Sequence, residues 1–383
     1  MEAKTQKFRL AVLVDSYNRG GVALALQAFL LFLPKNQYEI TLFIRSWDPK
    51  KMLPVPEGVR CVPWESESTF SPCNRLMALL SWRNFGRKQV YETRCSRVLP
   101  GEFDCAVAYQ MISTPVTVTT LEKVRAKRKV LWLHGKKNFR EKDLAFYDDL
   151  YSKADKIVCV SLETEERFRS LMPRSADKTV TIHNLYDIPF IQEQAKKSSE
   201  RMVRYPGSVT LVSVGRISKE KGFDRVPAVV RKLIDDGYDI HWYIIGDGDR
   251  RAALETALGE NGTADRVHLL GHQDNPYPYV DNCDIYVQPS YTEGFCTSTM
   301  EAKILCKPVI TTDVPGMREQ FVSGKNGLIV ESSTEGLYEG IRQLLDFPDL
   351  RKRIEHTLRM EPITNDAVLR QTIEAIEGRA LEK

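Results

Sequence analysis

Two glutamates, Glu293 and Glu301, stand with seven residues between them in the stretch IYVQPSYTEGFCTSTMEA, Ile285 to Ala302. A carboxylate accepts hydrogen bonds and donates none, so the pair suits the hydroxyls of a sugar or ribose and would repel a phosphate. Between the glutamates, Thr297, Ser298 and Thr299 fall where a helix opens. Unpaired N–H groups and the positive end of the dipole favour phosphate oxygens there. A second stretch, LVSVGRISKEKGFD from Leu211 to Asp224, presents Arg216 and Lys221 five residues apart. Two such cations can converge on one diphosphate through charge-assisted hydrogen bonds. Taken singly, a turn glutamate, an acid at a helix start and two solvated surface cations account for the same letters. Gly215 and Gly222 beside the cations argue instead for close approach of the backbone to a ligand.

Groups of this kind need strand ends to hold them. Both stretches read as a buried strand that runs into a turn and then a helix, the first through Glu293-Gly294 and the second through Gly215. IHWYIIGDGD repeats the plan, ending in Gly246 and Gly248 before a helix near Arg250, and RVHLLGHQ, Arg266 to Gln273, supplies another strand. VITTDVPGMRE, NGLIV and a helix from Thr334 to Leu345 complete this half.

The first half follows the same order. FRLAVLVD, Phe8 to Asp15, is a strand, Gly20 and Gly21 make the turn, and an apolar helix runs from about Val22 to Leu33. A lone Gly-Gly is a weak signal of backbone approach, and no GxGxxG follows the first strand, so a dinucleotide fingerprint is absent. Further strands are expected at Glu39–Ile44, Asp104–Tyr109, Lys129–Gly135 and Lys156–Ser161, with Ser161 capping the next helix. His134 then lies at a strand's carboxyl end, where ligands of α/β sheets collect, and Lys136 and Lys137 follow it. TVTIHNLYD closes the half, and Gln194 to Gly207, poor in apolar residues, reads as a linker.

These stretches resemble those of the retaining GT-B glycosyltransferases of family 4 (glycosyl transferases group 1), including enzymes of bacterial capsule, exopolysaccharide and lipopolysaccharide synthesis. The resemblance rests on the Arg216 and Lys221 pair and on the spacing from Glu293 to Glu301. It is strong from about Val209 to Val330 and looser before. It implies an α/β fold of two Rossmann-like domains whose parallel sheets face an interdomain cleft. The expected divisions are an acceptor-side domain at residues 1–195, a nucleotide-sugar domain at 205–350, and helices over 351–383 that cross back to the first domain. It further implies that Arg216 and Lys221 grip the donor diphosphate, Glu293 contacts the transferred sugar and Glu301 the ribose, with His134 beside the donor sugar. Gly20, Gly21, Gly215, Gly246, Gly248, Leu270, Gly271, Gly294, Phe295, Cys296, Thr297 and Ser298 would line the donor site. Leu270 and Gly271 would face the base through their backbone. Cys296 and Thr297 replace the Gly-Leu common in that family after Glu-Gly-Phe, which leaves the shape of the sugar pocket open.

The implied activity is metal-independent transfer of a hexose-type sugar from a nucleotide-diphosphate donor, a UDP-sugar on family frequency, to a glycan or lipid-linked acceptor. A sugar-nucleotide epimerase of the same architecture and a nucleotide-sugar-binding protein without turnover remain as alternatives. No cofactor is expected.

Composition sets bounds on this reading. A chain of 383 residues suits two domains. Eight cysteines without a CxxC pair read as reduced thiols, and six histidines without HExxH indicate no metal site. The longest apolar run, Gly20 to Leu33, is shorter than a membrane span. The start reads straight into a strand rather than as a signal peptide, so a cytoplasmic location is expected. Net charge is +4, but residues 1–204 hold 34 Lys and Arg against 23 Asp and Glu, while the remainder holds 21 against 28. A basic half suits an anionic membrane face or substrate, and nucleic acid is not the partner expected. The basic, apolar-laced segment 74–97 could lie peripherally on the inner face of a membrane, or pack on its own domain with a charged outer side.

Overall fold

The computed structural model describes residues 6–18, 20–64, 98–110, 115–135 and 141–380. The segment 74–97, Lys136 and Lys137 lie outside the described residues. Contacts divide the chain into two units, one comprising Met1–Tyr186 with Asn365–Lys383 and the other Asp187–Thr364.

The first unit is built on seven strands: β1 (Phe8–Val14), β2 (Tyr38–Ile44), β3 (Val59–Pro63), β4 (Glu102–Gln110), β5 (Arg125–Leu133), β6 (Lys156–Cys159) and β7 (Thr179–Thr181). They lie in the order β3-β2-β1-β4-β5-β6-β7 with every neighbouring pair parallel. Strands covered on both faces must be apolar where they are buried, which is why LAVLV, Leu10 to Val14, reads as a continuous hydrophobic run; Leu10 to Leu13 are fully buried. Leu13, Phe43, Ala106, Leu131 and Ile157 meet Tyr147, Tyr151 and Phe168 in one core. Ser161 caps the helix Leu162–Leu171, accepting from the Thr164 N–H at 3.3 Å. The helix Asp366–Glu377 belongs to this unit, where Glu377 accepts from the Tyr38 hydroxyl at 2.6 Å and the Ala375 carbonyl from Arg128 at 2.9 Å.

The second unit has six strands: β8 (Val209–Val214), β9 (Ile240–Ile245), β10 (Val267–Gly271), β11 (Ile285–Gln288), β12 (Val309–Thr312) and β13 (Leu328–Val330). Their order is β10-β9-β8-β11-β12-β13, again all parallel. Leu211, Trp242, Ile244, Val287 and Ile310 pack against Val229, Leu233, Leu337 and Ile341 from helices. The stretch read as a linker is tied to this unit. Arg201 donates to the Leu270 carbonyl at 3.0 Å, and the Tyr205 ring stacks on His241 with centroids 3.7 Å apart.

Both sheets change direction of strand order once, between β1 and β4 and between β8 and β11. Loops leaving opposite ways at such a point open a crevice at the carboxyl ends of the strands, the place where open α/β sheets bind ligands.

Candidate functional site

The carboxyl ends of β8 and β11 carry the two stretches that the sequence singles out. After β8 the chain passes Gly215 and Arg216 into a short turn, Lys219–Lys221, and reverses at Gly222 in the left-handed region with φ +67°. A Cβ on Gly222 would sit 2.0 Å from the Pro289 carbonyl oxygen, so only glycine lets this loop lie against the one after β11. The two loops are then stitched together. The Tyr291 N–H donates to the Glu220 carbonyl at 2.8 Å. The buried Arg225 guanidinium donates to the Pro289 carbonyl and lies 4.0 Å from the Tyr291 ring centroid.

This stitching brings Lys221 onto Glu293, with Nζ 2.7 Å from Oε1. Their side chains are 23% and 10% exposed, so the pair is only partly open to water. Burial works against the ammonium, yet the negative charges of a Cys296 thiolate and of Glu293, with the Glu293 hydrogen bond, hold the Lys221 pKa above its ordinary value. Burial pushes the Cys296 thiol itself up. Near neutral pH the thiol is therefore protonated and Glu293 supplies the counter-charge. An ammonium has three donors, and one of them goes to Glu293. Arg216 is exposed, and its guanidinium makes no hydrogen bond among the described residues.

The helix Thr297–Ile304 begins directly after this loop, with Thr297 and Ser298 partly exposed at its first turn. The earliest N–H groups of a helix lack intrahelical acceptors, so the start of this one offers donors beside the lysine's loop. Cys296 has φ −65° and ψ 112°, an extended conformation that does not require glycine. Its thiol is turned inward, with Sγ 3.2 Å from the Ser298 hydroxyl. Glu301 is 8% exposed, and its Oε1 accepts from the Tyr277 hydroxyl at 3.3 Å. Burial lifts its pKa to about 7, and the Tyr277 hydrogen bond offsets part of that rise.

The remaining glycines have packing reasons of their own. Gly246 has φ +140°, and a Cβ there would lie 1.9 Å from the Gly215 carbonyl oxygen; at Gly248 it would lie 2.3 Å from that of Ile217. These residues let the loops after β8 and β9 pack on each other, which is sufficient reason for glycine at both. The Gly271 carbonyl accepts from the Gly246 N–H at 2.9 Å. The Leu270 carbonyl already accepts from Arg201 at 3.0 Å and Gln273 at 2.9 Å, which fills both of its lone pairs. Gly316, also left-handed, lets its loop approach Gly294, whose carbonyl a Cβ would meet at 2.9 Å. Phe295 is buried behind the turn.

In the first unit, Gly20 and Gly21 open the helix Gly21–Phe32 after β1, with open space in front of Gly20. His134 follows β5, 8% exposed, its ring 4.4 Å from that of Tyr109. Burial lowers its pKa to about 3, so it is a neutral imidazole, and its Nε2 has no hydrogen-bond partner among the described residues.

Sequence reading passed over four residues here. Gln288, Ser290 and Tyr286 form a buried network behind Glu293, and Tyr277 meets Glu301. A glutamine at the end of an otherwise apolar strand, IYVQ, is the signal that could have drawn attention.

The fold with these two switch points is GT-B. The Anabaena protein HepE, solved with UDP and glucose, superposes with a TM-score of 0.74 over 97% of this chain and 100% of its own at 16% identity. A glycosyltransferase from Rickettsia africae superposes with a TM-score of 0.73 over 98% and 99% at 16% identity. Residues 194–359 match the family Glycosyl transferases group 1, so the second unit carries a domain of that family. The capsular polysaccharide biosynthesis glycosyltransferase CapM of Staphylococcus aureus is 31% identical over 148 residues, 37% of this chain and 38% of CapM. The Campylobacter jejuni 4-alpha-N-acetylgalactosaminyltransferase that acts on a diphospho-undecaprenol glycan is 28% identical over 205 residues, 53% of this chain and 54% of its own. The matched segment thus spans between about two-fifths and half of these curated relatives.

Among the described residues, no helix is long and apolar enough to cross a membrane, and no cluster of His, Cys, Asp and Glu could hold a metal ion.

Proposed function

We propose that the chain is a glycosyltransferase that moves a hexose-type sugar from a UDP-sugar to a glycan or lipid-linked acceptor in bacterial surface polysaccharide synthesis. The observation that carries this reading is the meeting of Lys221 and Glu293 at the β8/β11 switch point, beside an open helix start. Departure of the nucleotide leaves negative charge on its diphosphate. Arg216, the free donors of Lys221 and the first amides of the helix Thr297–Ile304 oppose that charge, and fixed donors of this kind act without reorganising. Electrostatic stabilisation from these groups needs no divalent ion. Glu293 neutralises the lysine from the other side and offers an acceptor to a sugar hydroxyl, while Glu301 accepts from ribose.

Glu293 is held by donors and paired with a cation, which is a poor state for a nucleophile. In the reading favoured here the acceptor attacks on the face from which the diphosphate leaves, with retention of configuration, and the diphosphate helps to take the acceptor's proton. The family match favours transfer over the epimerase and binding-only alternatives. UDP in the HepE complex supports that base, and the Campylobacter relative supports a lipid-linked acceptor. Such an acceptor would put the protein at the cytoplasmic face of the membrane, with the basic segment 74–97 as the contact.

Incubation of the purified chain with UDP-, GDP- and ADP-sugars tests the reading, because slow donor hydrolysis needs no acceptor. Release of nucleotide and of a sugar whose first-formed anomer matches the donor, observed by NMR, is expected. No cleavage of any donor, or release of the opposite anomer, would overturn it.

A further inference from the structure

Behind the ion pair lies a chain of buried polar groups that the chemistry above does not use. Gln288, Ser290 and Tyr286 are each fully buried. A buried amide is costly unless its donors and acceptor are engaged, and those of Gln288 are. Its Oε1 accepts from the Tyr286 hydroxyl at 2.9 Å and from Ser298 Oγ, on the first turn of the helix, at 3.3 Å. Its Nε2 donates to Ser290 Oγ at 2.9 Å and reaches Glu293 Oε1 at 3.5 Å. Ser290 Oγ, having accepted, passes its own proton toward Glu293 Oε1 at 2.6 Å. Tyr286 in turn accepts the Val214 N–H at 3.2 Å, which anchors the chain to the end of β8.

Three donors therefore converge on Oε1 of Glu293: Lys221, Ser290 and Gln288. Oε2 makes no hydrogen bond among the described residues. One carboxylate oxygen is committed to the protein, and the other has no protein donor among the described residues. Since Oε1 is also the oxygen that holds Lys221, the same chain of bonds fixes where the ammonium stands.

We propose that Gln288 and Ser290 are positioning residues for transfer, locking Glu293 through Oε1, the oxygen that also holds Lys221, so that Oε2 is presented to a hydroxyl of the donor sugar. The inference rests on the function proposed above and adds to it the two side chains that set the geometry. It separates sugar from nucleotide: the relay ends on the carboxylate assigned to the sugar, so its loss affects turnover of the whole donor more than binding of UDP alone.

Ser290→Ala removes one oxygen and leaves the fold's packing intact. Gln288→Glu keeps the shape and replaces the donor by a group that must be protonated to donate to Ser290. For Ser290→Ala, donor turnover is expected to fall roughly 10-fold to 100-fold, the equivalent of one buried donor, the Gln288 N–H, left without its partner. The Kd for UDP should stay within about threefold, the spread expected of a group that does not touch the nucleotide. Gln288→Glu is expected to regain activity as pH falls, giving a profile that the parent lacks. Wild-type turnover and pH profile in both variants would overturn the proposal, as would parallel loss of UDP binding, which would make the relay a support for the pocket alone.

A readout without donor distinguishes this from failure of the functional reading. In protein labelled with 15N-lysine, the paired Lys221 ammonium should give a slowly exchanging signal that is lost in Ser290→Ala. If no nucleotide binds yet that signal behaves so, the relay stands and the glycosyltransferase reading falls; an unchanged signal in the variant overturns the relay.

Discussion

Replacing Glu301 by glutamine tests whether this carboxyl sits where it does for stability or for a ligand. Burial raises its pKa from the ordinary 4.5 to about 7. A group whose pKa is raised on folding favours the folded state while it is protonated in both forms, and that advantage is lost as pH climbs through the folded value. From about pH 4.5 to about pH 7 the native state therefore loses stability relative to a chain without the charge, by roughly 3 kcal/mol in total. Glutamine keeps an acceptor for the Tyr277 hydroxyl and carries no charge. Glu301→Gln should then be more stable than the parent by about 3 kcal/mol at pH 8 and by under about 1 kcal/mol at pH 4.5. Urea titrations of both proteins at both pH values, followed by circular dichroism and tryptophan fluorescence, measure this difference. The same variant should bind UDP more weakly, because an amide is not the acceptor-only partner that two ribose hydroxyls want. The parent's own UDP affinity should fall below pH 7, approaching tenfold per pH unit. A stability difference equal at the two pH values, or UDP affinity unchanged in the variant, would refute the reasoning.

Other outcomes follow from the same geometry. Arg216→Ala and Lys221→Ala should each slow donor turnover by about 100-fold to 1,000-fold, the loss seen when one preorganised electrostatic donor is removed; steady-state rates on folded protein check this. Only Lys221→Ala should also lower the unfolding midpoint, since it strands the Glu293 carboxylate while Arg216 is exposed. Gly246→Ala should destabilise the second unit by more than about 2 kcal/mol, since its Cβ has nowhere to go beside the Gly215 carbonyl at φ +140°. Hydrogen exchange would locate that effect in β8 and β9. His134, held neutral with a pKa of about 3, binds fewer protons folded than unfolded from about pH 6.5 downward. Stability should therefore drop as pH falls through that window, and less so in His134→Gln, as acid unfolding curves would record.

The architecture was legible because parallel strands buried on both faces must be spelled mostly in apolar letters, as LAVLV and WYII are. Turn glycines at the strand ends then fixed the direction of the plan. The geometry within the site was less legible. Charge logic assigned Glu293 to hydroxyls and Lys221 to phosphate, and so kept apart two residues, 72 positions distant in the chain, that fold into direct contact. For Gly246 and Gly248 the glycine letter signals close backbone approach without saying what approaches, and the structure adds a second loop's carbonyl at each. Gln288 gave no periodic signal, since a single amide among apolar residues acquires meaning only when Ser290, Ser298 and Glu293 gather around it.

The account stands most directly on whether the loop after β8 and the helix after β11 hold a nucleoside diphosphate. Calorimetric titration of UDP into the parent, Arg216→Ala and Lys221→Ala at pH 8 measures this. One saturable site in the parent, weakened at least roughly tenfold in each variant by loss of a charge-assisted bond, is the predicted result. UDP, GDP and ADP all failing to bind the parent, or UDP binding both variants as tightly as the parent, would contradict it.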